Sequence, residues 1–481
     1  MIRLPSGPRF WCLAYLCLCA PVCIALALIV PPGEVADEAA HLARAAALMQ
    51  GDVVGHRESV RYADGSTHVA AGVRLDPVWA RAALSRPKDF GGSLAAEDGA
   101  PDARGRVFVP LYTVGTYPPF LYAPAAAGLA SGRLLGLAPE VCLYLGRLAN
   151  ATATIALSLA ALALATRGRV ALFALLALPM TLSLAASFNQ DAPIIALSAL
   201  AAALLTPRPL AGPGARLRLI GAILSLALVV LAKPPYAGLA AMLLVPFPRA
   251  GDGDGGGGLA RHAARRLAAA ALAVLPAALW TAAATATVAT PVPRNAYEAG
   301  PLWSGPRPAT FAATDPKAQG QVLLDRPARL LTLPGHYLGT IKHLTMLAKG
   351  AIGIFGWLDR PLPAVVYGTW ALALLAPLVL LRGGVPPPWP ERLILPAAAL
   401  ACLWLVLLSQ YLTWTNVGES RIDGPQGRYL LPLVPMLVLA FARARPGAAP
   451  AGRWPAMLPV AAAAIDLAAL PLAALAAAVP A

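Results

Sequence analysis

The sequence predicts an all-α, polytopic membrane protein of about eleven spanning helices, within a range of roughly ten to thirteen. Three observations predict it. Over 481 residues the hydrophobic fraction is 58% and the charged fraction only 13%. Apolar runs of about 16–25 residues recur along the chain, long enough to cross a bilayer. The basic residues collect in short connections between those runs, as the positive-inside rule requires of loops facing the cytoplasm.

The first apolar run, FWCLAYLCLCAPVCIALALIV, follows MIRLPSGPRF. It is long, and APVCIAL is a poor cleavage context for a signal peptide, so it reads as a retained first helix. Spans follow near 11–30, 140–165, 169–186, 190–206, 217–232, 236–249, 264–285, 363–381, 393–411, 428–442 and 455–476. Arg3 and Arg9, Arg167 and Arg169, Arg208 to Arg218, Arg249 to Arg266, Arg382, Arg392 and Arg443 to Arg453 then mark one side. Placing these inside puts the N-terminus in the cytoplasm and the longer connections outside. The apolar stretch 117–136 is laid along the outer interface, because a crossing there would move the Arg167 and Arg208 loops to the wrong side.

The chain divides into a first helix at 1–30, an outer loop with an acidic motif and interfacial helices at 31–138, and a helix bundle at 139–287. A second outer region at 288–362 and C-terminal spanning helices at 363–481 complete it. The GDGDGGGG run at 251–258 reads as a flexible cytoplasmic linker, since no Gly-Lys-Ser/Thr follows to make a phosphate loop. The net charge of +15 comes without a basic block interleaved with aromatics, so nucleic acid is not an expected partner. None of the six cysteines has CxxC spacing, and no structural disulfide is expected.

Asp37-Glu38, His41 and the following helix to Asp52 resemble the first outer loop of the GT-C superfamily of glycosyltransferases, in which an acidic pair follows the first membrane helix. Within it, the phrases PPGEVADEAAH, YPPFLYAP, LGRLAN, SFNQDA, LAKPPY, GIFGWLDRPLP and PQGRYLLPL are similar, in order, to those of the bacterial family catalogued as domain of unknown function 2142. Here Gly33–Ala36 separates the prolines from the acidic pair, which that family tends to keep adjacent. The resemblance implies a multi-pass protein of the bacterial inner (cytoplasmic) membrane. It further implies transfer of a sugar from a polyprenyl-phosphate carrier to a glycan or lipid acceptor of the cell envelope, on the outer face.

If the stretch after Pro32 is helical, Glu34, Asp37 or Glu38, His41 and Arg44 share one face, with Ala36, Ala39, Ala40 and Ala43 opposite. A carboxylate there can take the proton of an attacking hydroxyl. Asp37 is the expected base and Glu38 its orienting neighbour, with His41 beside them in the substrate site. The competing reading is that acidic residues suit any first helical turn and that Arg44 complements them. Asp37 and His41 at i and i+4 also form half of a divalent metal site, the sole cofactor the sequence suggests. Asp191 is a candidate substrate contact or a helix cap. Lys233, Arg428 and Arg147 are candidates to hold a lipid phosphate or to sit at the membrane interface. Trp357, Asp359 and Arg360 have a location but no assigned role. His56, His68, His336 and His343 lack ligand spacing. The rival functions are a transporter or flippase of lipid-linked glycans and a non-catalytic envelope-assembly protein.

Overall fold

The computed structural model describes residues 7–61, 67–84, 101–207, 214–246, 256–293, 314–380, 384–443 and 454–478. Helix α1, Pro8–Ile29, takes its proline in the first turn, where the missing amide costs nothing. It stops because Val30 precedes Pro31-Pro32 and is driven to extended backbone (φ −72°, ψ 124°). The next segment is not purely helical. After α2, Glu38–Met49, come strands β1, His56–Arg61, and β2, Thr67–Leu75, then α3, Pro77–Leu84, β3, Val107–Pro110, and α4, Ala123–Leu134. The strands form one antiparallel sheet in the order β1-β2-β3, with Glu58 opposite Ala70 and Val73 opposite Val109. Helix α2 packs its alanines against β2, α3 and α4, burying Leu42, Val73, Trp79 and Val109 together.

The bundle opens with α5, Pro139–Leu164. The run read as one span near 169–186 is two short helices, α6 at Arg169–Ala177 and α7 at Pro179–Ala185. Pro179 has no amide to continue the ladder and pushes Leu178 out of helical backbone (ψ 138°). Then come α8, Asp191–Leu205, and α9, Ala215–Ala232. The expected span near 236–249 is instead a 3-10 helical stretch, Pro234–Leu244. Helix α10, Gly256–Thr287, begins inside the glycine run expected to be a linker; residues 251–255 of that run lie outside the described residues. Between α10 and the next apolar helix lie α11, Pro316–Asp325, α12, Arg329–Leu338, α13, Ile341–Ile352, and the two-residue strands β4, Ile354–Phe355, and β5, Arg360–Pro361. The chain ends in α14, Ala364–Leu380, α15, Trp389–Thr413, a 3-10 turn Gly427–Leu433 leading into α16, Val434–Phe441, and α17, Trp454–Ala478.

Among the described residues six helices are long and apolar enough to cross a membrane: α1, α5, α9, α10, α15 and α17. Shorter apolar stretches at Asp191–Leu205, Pro234–Leu244, Ala364–Pro377 and Gly427–Phe441 lie among them. Leucines at 267, 272, 275 and 279 of α10 are more than half exposed, as expected of a surface solvated by lipid rather than water. The protein is a mostly helical, polytopic membrane protein. Its largest core gathers around Trp11, Tyr15, Phe173 and Trp370, and its second around α8, α9 and the 234–244 stretch.

Candidate functional site

Five polar segments meet at the end of the bundle that carries the sheet: the turn after α1, the first turns of α5, the start of α8, the end of α9 and the 3-10 turn at Gly427. The turn after α1 is made by Gly33 (φ 85°), whose carbonyl accepts a 3.2 Å bond from the Trp357 indole on the β4–β5 hairpin. Asp37 then adopts left-handed backbone (φ 65°, ψ 0°), uncommon for a residue with a side chain, and α2 starts only at Glu38. Asp37 and Glu34 therefore do not belong to the helical face the spacing suggested. The two acidic neighbours diverge instead.

Glu38 turns inward. Its carboxylate makes a bidentate pair with Arg147 of α5 (2.7 and 2.6 Å) and accepts the backbone amides of Gly33 (2.8 Å) and Phe188 (3.2 Å). Arg147 spends its remaining donors on carbonyls at the end of α1: Ala27 (3.1 Å), Pro31 (3.0 Å) and Val30. Both side chains are 0% exposed. Glu38, expected to orient Asp37, and Arg147, a candidate for a lipid phosphate or the membrane interface, here satisfy every charged atom inside the protein and brace α1, α2, α5 and the α7–α8 turn.

Asp37 turns the other way, and 43% of its side chain is exposed. It is held by Arg428, whose guanidinium also faces Asp191 (Nε to Oδ2, 3.2 Å). Asp191 in turn pairs with Lys233 Nζ at 2.5 Å. The ammonium stands 4.7 Å from the Tyr429 ring centre and the Arg428 guanidinium carbon 5.6 Å, so one aromatic ring serves both cations. Asp191 is the first residue of α8 rather than its cap, Gln190 holding that position, and its amide donates to Asn189 Oδ1 at 2.8 Å. Asn150 of LGRLAN fixes the same turn by donating to the Ser187 (2.7 Å) and Asn189 (3.2 Å) carbonyls. The quartet Asp37, Arg428, Asp191 and Lys233 carries two charges of each sign, three of its members nearly buried and one reaching outward.

His41 lies behind the quartet, 4% exposed, with Nδ1 2.6 Å from the Tyr122 hydroxyl. Burial pushes its pKa down to about 4 against the pull of Asp191 and Asp37, so the ring is neutral at pH 7. Tyr117 sits in the same field, its phenol pushed up to about 12 by burial. Arg44, expected to complement the acidic residues, binds carbonyls instead: Asp52 (3.1 Å), Val53 (2.5 Å) and Tyr117 (3.1 and 3.2 Å). Among the described residues no three His, Cys, Asp or Glu side chains gather where they could hold a metal ion; Asp37 and His41 have the partners just named.

Sequence reasoning missed the aromatic lining, Tyr117, Tyr122 and Tyr429, and the amides beside the quartet. Gln190 precedes Asp191, and neither its Oε1 nor its Nε2 has a hydrogen-bond partner; Gln426 Oε1, two residues before Arg428, has none either. Such buried unpaired amides are uncommon. The signal was present, since all these residues lie inside or beside the recurring phrases, but nothing in the spacing set them apart from the bland residues around them.

Arg428 is carried by a backbone that passes very close to α13. A Cβ built on Gly427 would lie 2.2 Å from the Leu347 carbonyl oxygen and 2.3 Å from the Ala351 nitrogen, both main-chain atoms. Gly427→Ala is expected to destabilise the protein by about 1–3 kcal/mol, read as a lowered unfolding midpoint in detergent. An unchanged midpoint would show that the two segments separate at no cost.

All seven recurring phrases converge on this one end. PPGEVADEAAH supplies Asp37, Glu38 and His41, YPPFLYAP Tyr117 and Tyr122, and LGRLAN Arg147 and the turn-fixing Asn150. SFNQDA, LAKPPY and PQGRYLLPL bring Asp191, Lys233 and Arg428, while GIFGWLDRPLP tethers Gly33. No curated protein and no solved structure matches the chain. A family model described as predicted membrane protein (DUF2142) matches residues 21–437. With that match spanning most of its length, the chain belongs to the DUF2142 family of membrane proteins.

Proposed function

We propose that the protein is a GT-C-like glycosyltransferase that moves a sugar from a polyprenyl-phosphate carrier to a glycan or lipid acceptor. The observation that carries this reading is the quartet: a half-exposed carboxylate paired with a buried cation, beside a second cation, at the boundary of an apolar bundle. A phosphate arriving there competes with Asp37 for Arg428 and with Asp191 for Lys233. When it binds, Asp37 is released from its partner. Its carboxylate then accepts the proton of the acceptor hydroxyl while that oxygen bonds to the anomeric carbon; the bond from that carbon to the phosphate oxygen breaks, and its electron pair leaves with the polyprenyl phosphate, neutralised by Arg428 and Lys233. The unpaired amides of Gln190 and Gln426 suit sugar hydroxyls. Glu38 and Arg147 position Asp37 without touching substrate.

The location consistent with this chemistry is the bacterial inner membrane, with the N-terminus in the cytoplasm and the sheet-bearing end outside. An eleven-span topology follows if the four shorter apolar stretches and the α6–α7 pair also cross. Protein in nanodiscs, supplied with a panel of radiolabelled polyprenyl-phosphate sugars and envelope acceptors, tests the activity. Transfer supports the reading; movement of the donor between leaflets without transfer would replace it with a flippase.

If Arg428 and Lys233 hold the donor phosphate, replacing either with Gln should weaken donor binding by about 1.5–3 kcal/mol, the usual worth of a charge-assisted contact. That corresponds to roughly tenfold to a hundredfold in Kd. Arg428→Lys should rescue only part, because a point charge does not reproduce the guanidinium fork. Unchanged donor affinity in well-expressed Gln variants removes both residues from the site.

A further inference from the structure

We infer that the furrow between α9, the 234–244 stretch and α10 is the seat of one isoprenoid chain whose phosphate end lies at Lys233; this rests on the donor class proposed above.

The furrow is an open groove of about 620 Å3, within the size range of ligand sites. Its α10 wall is one helical face, with residues at 274, 277, 278, 281, 282, 285 and 286 recurring at spacings of three and four. At 1.5 Å per residue that face runs for about 18 Å, the dimension of a chain rather than of a compact solute. No lining side chain is larger than valine, and none is charged: Val230, Pro234 and Ala237 oppose Ala278, Ala282 and Ala286. The neighbouring face of α10 exposes Leu272, Leu275 and Leu279 to 58%, 54% and 64%, whereas its furrow wall carries only Val, Ala and Thr.

Two features tie the furrow to the quartet. Pro234, which lines it, directly follows Lys233, whose ammonium is bound to Asp191. Within that quartet Arg428 Nε and Asp191 Oδ2 lack a hydrogen bond of good geometry although Arg428 is only 3% exposed. A buried charged donor left in that state suits a ligand oxygen. The α10 wall is also pinned in place. The Trp280 indole donates to the Thr116 carbonyl (2.9 Å), next to Tyr117 in the field of Lys233. Arg57 of β1 binds the carbonyls of Thr285 (2.9 Å), Ala286 (3.0 Å) and Ala289 (2.7 and 3.2 Å) at the helix end. A groove about 18 Å long, lined by small apolar side chains and starting beside Lys233, suits a branched apolar chain with a phosphate at one end.

The test uses full-length protein in nanodiscs and a polyprenyl phosphate carrying a diazirine on its chain and no sugar, so that labelling requires no turnover. Cross-links are expected within residues 274–286, displaced by unlabelled polyprenyl phosphate but not by equal phosphatidylglycerol or inorganic phosphate. Ala278→Phe with Ala282→Phe, which only adds apolar surface to an open slot, should cut labelling at least tenfold. Leu275→Phe on the adjoining face should leave it unchanged. Labelling elsewhere, labelling indifferent to the double substitution, or equal displacement by phosphatidylglycerol would overturn the inference. Specific labelling of the slot in a protein that transfers no sugar would support the slot while refuting the transferase reading.

Discussion

Glu38→Gln is expected to cost about 3–5 kcal/mol of stability, because it leaves the Arg147 guanidinium charged and unpaired where water cannot reach it. Both groups are 0% exposed, and Arg147 joins Glu38 to three carbonyls at the end of α1. Arg147→Met should be equally damaging from the other side, stranding the Glu38 carboxylate. Removing both charges together, as in Glu38→Leu with Arg147→Met, should recover part of the loss, since no uncompensated ion remains. Recovery stays incomplete, because the carbonyls of Ala27, Val30 and Pro31 then lose their donor. Unfolding midpoints and monodispersity in detergent measure all three. Single variants with the wild-type midpoint would show that water or ions enter the pocket and that the brace does not hold the site together.

The brace marks where sequence reasoning stopped. Long apolar runs made α1, α5, α9, α10, α15 and α17 legible, since twenty apolar residues have few other uses. The split at Pro179 was less so: a proline inside an apolar run is tolerated in many membrane helices. The sheet was invisible because β1, HRESVR, buries only Val60 and carries no period-two alternation. At the site, the charged residues themselves could be picked out, but their partners could not. Arg428 and Asp37 are 391 positions apart. The helical-face argument for Glu34, Asp37, His41 and Arg44 assumed a helix start that the left-handed backbone of Asp37 moves to Glu38. That single torsion separates two adjacent carboxylates into one that holds the fold and one that faces outward.

Asp37→Asn should therefore behave quite unlike Glu38→Gln, although the two residues are neighbours. Asparagine keeps the shape and tolerates left-handed backbone as readily as aspartate, so the turn survives. The residue is 43% exposed, and Arg428 keeps Asp191 at 3.2 Å, so the buried cation retains one carboxylate, shared with Lys233, and the loss of charge should cost less stability than at Glu38. The variant should fold, insert and bind donor at least as well as the wild type, because the phosphate no longer competes with the Asp37 carboxylate for Arg428. Transfer should fall by about a hundred- to ten-thousand-fold, the usual effect of removing a general base. Glu34→Gln, which removes a negative charge on the other side of the same turn, should retain most activity and so controls for charge alone. Tighter donor binding with lost transfer is a combination that neither a helix-start role nor a flippase accounts for. Transfer at the wild-type rate by Asp37→Asn would withdraw the base from the site, leaving the quartet as an anion-binding device whose chemistry lies elsewhere.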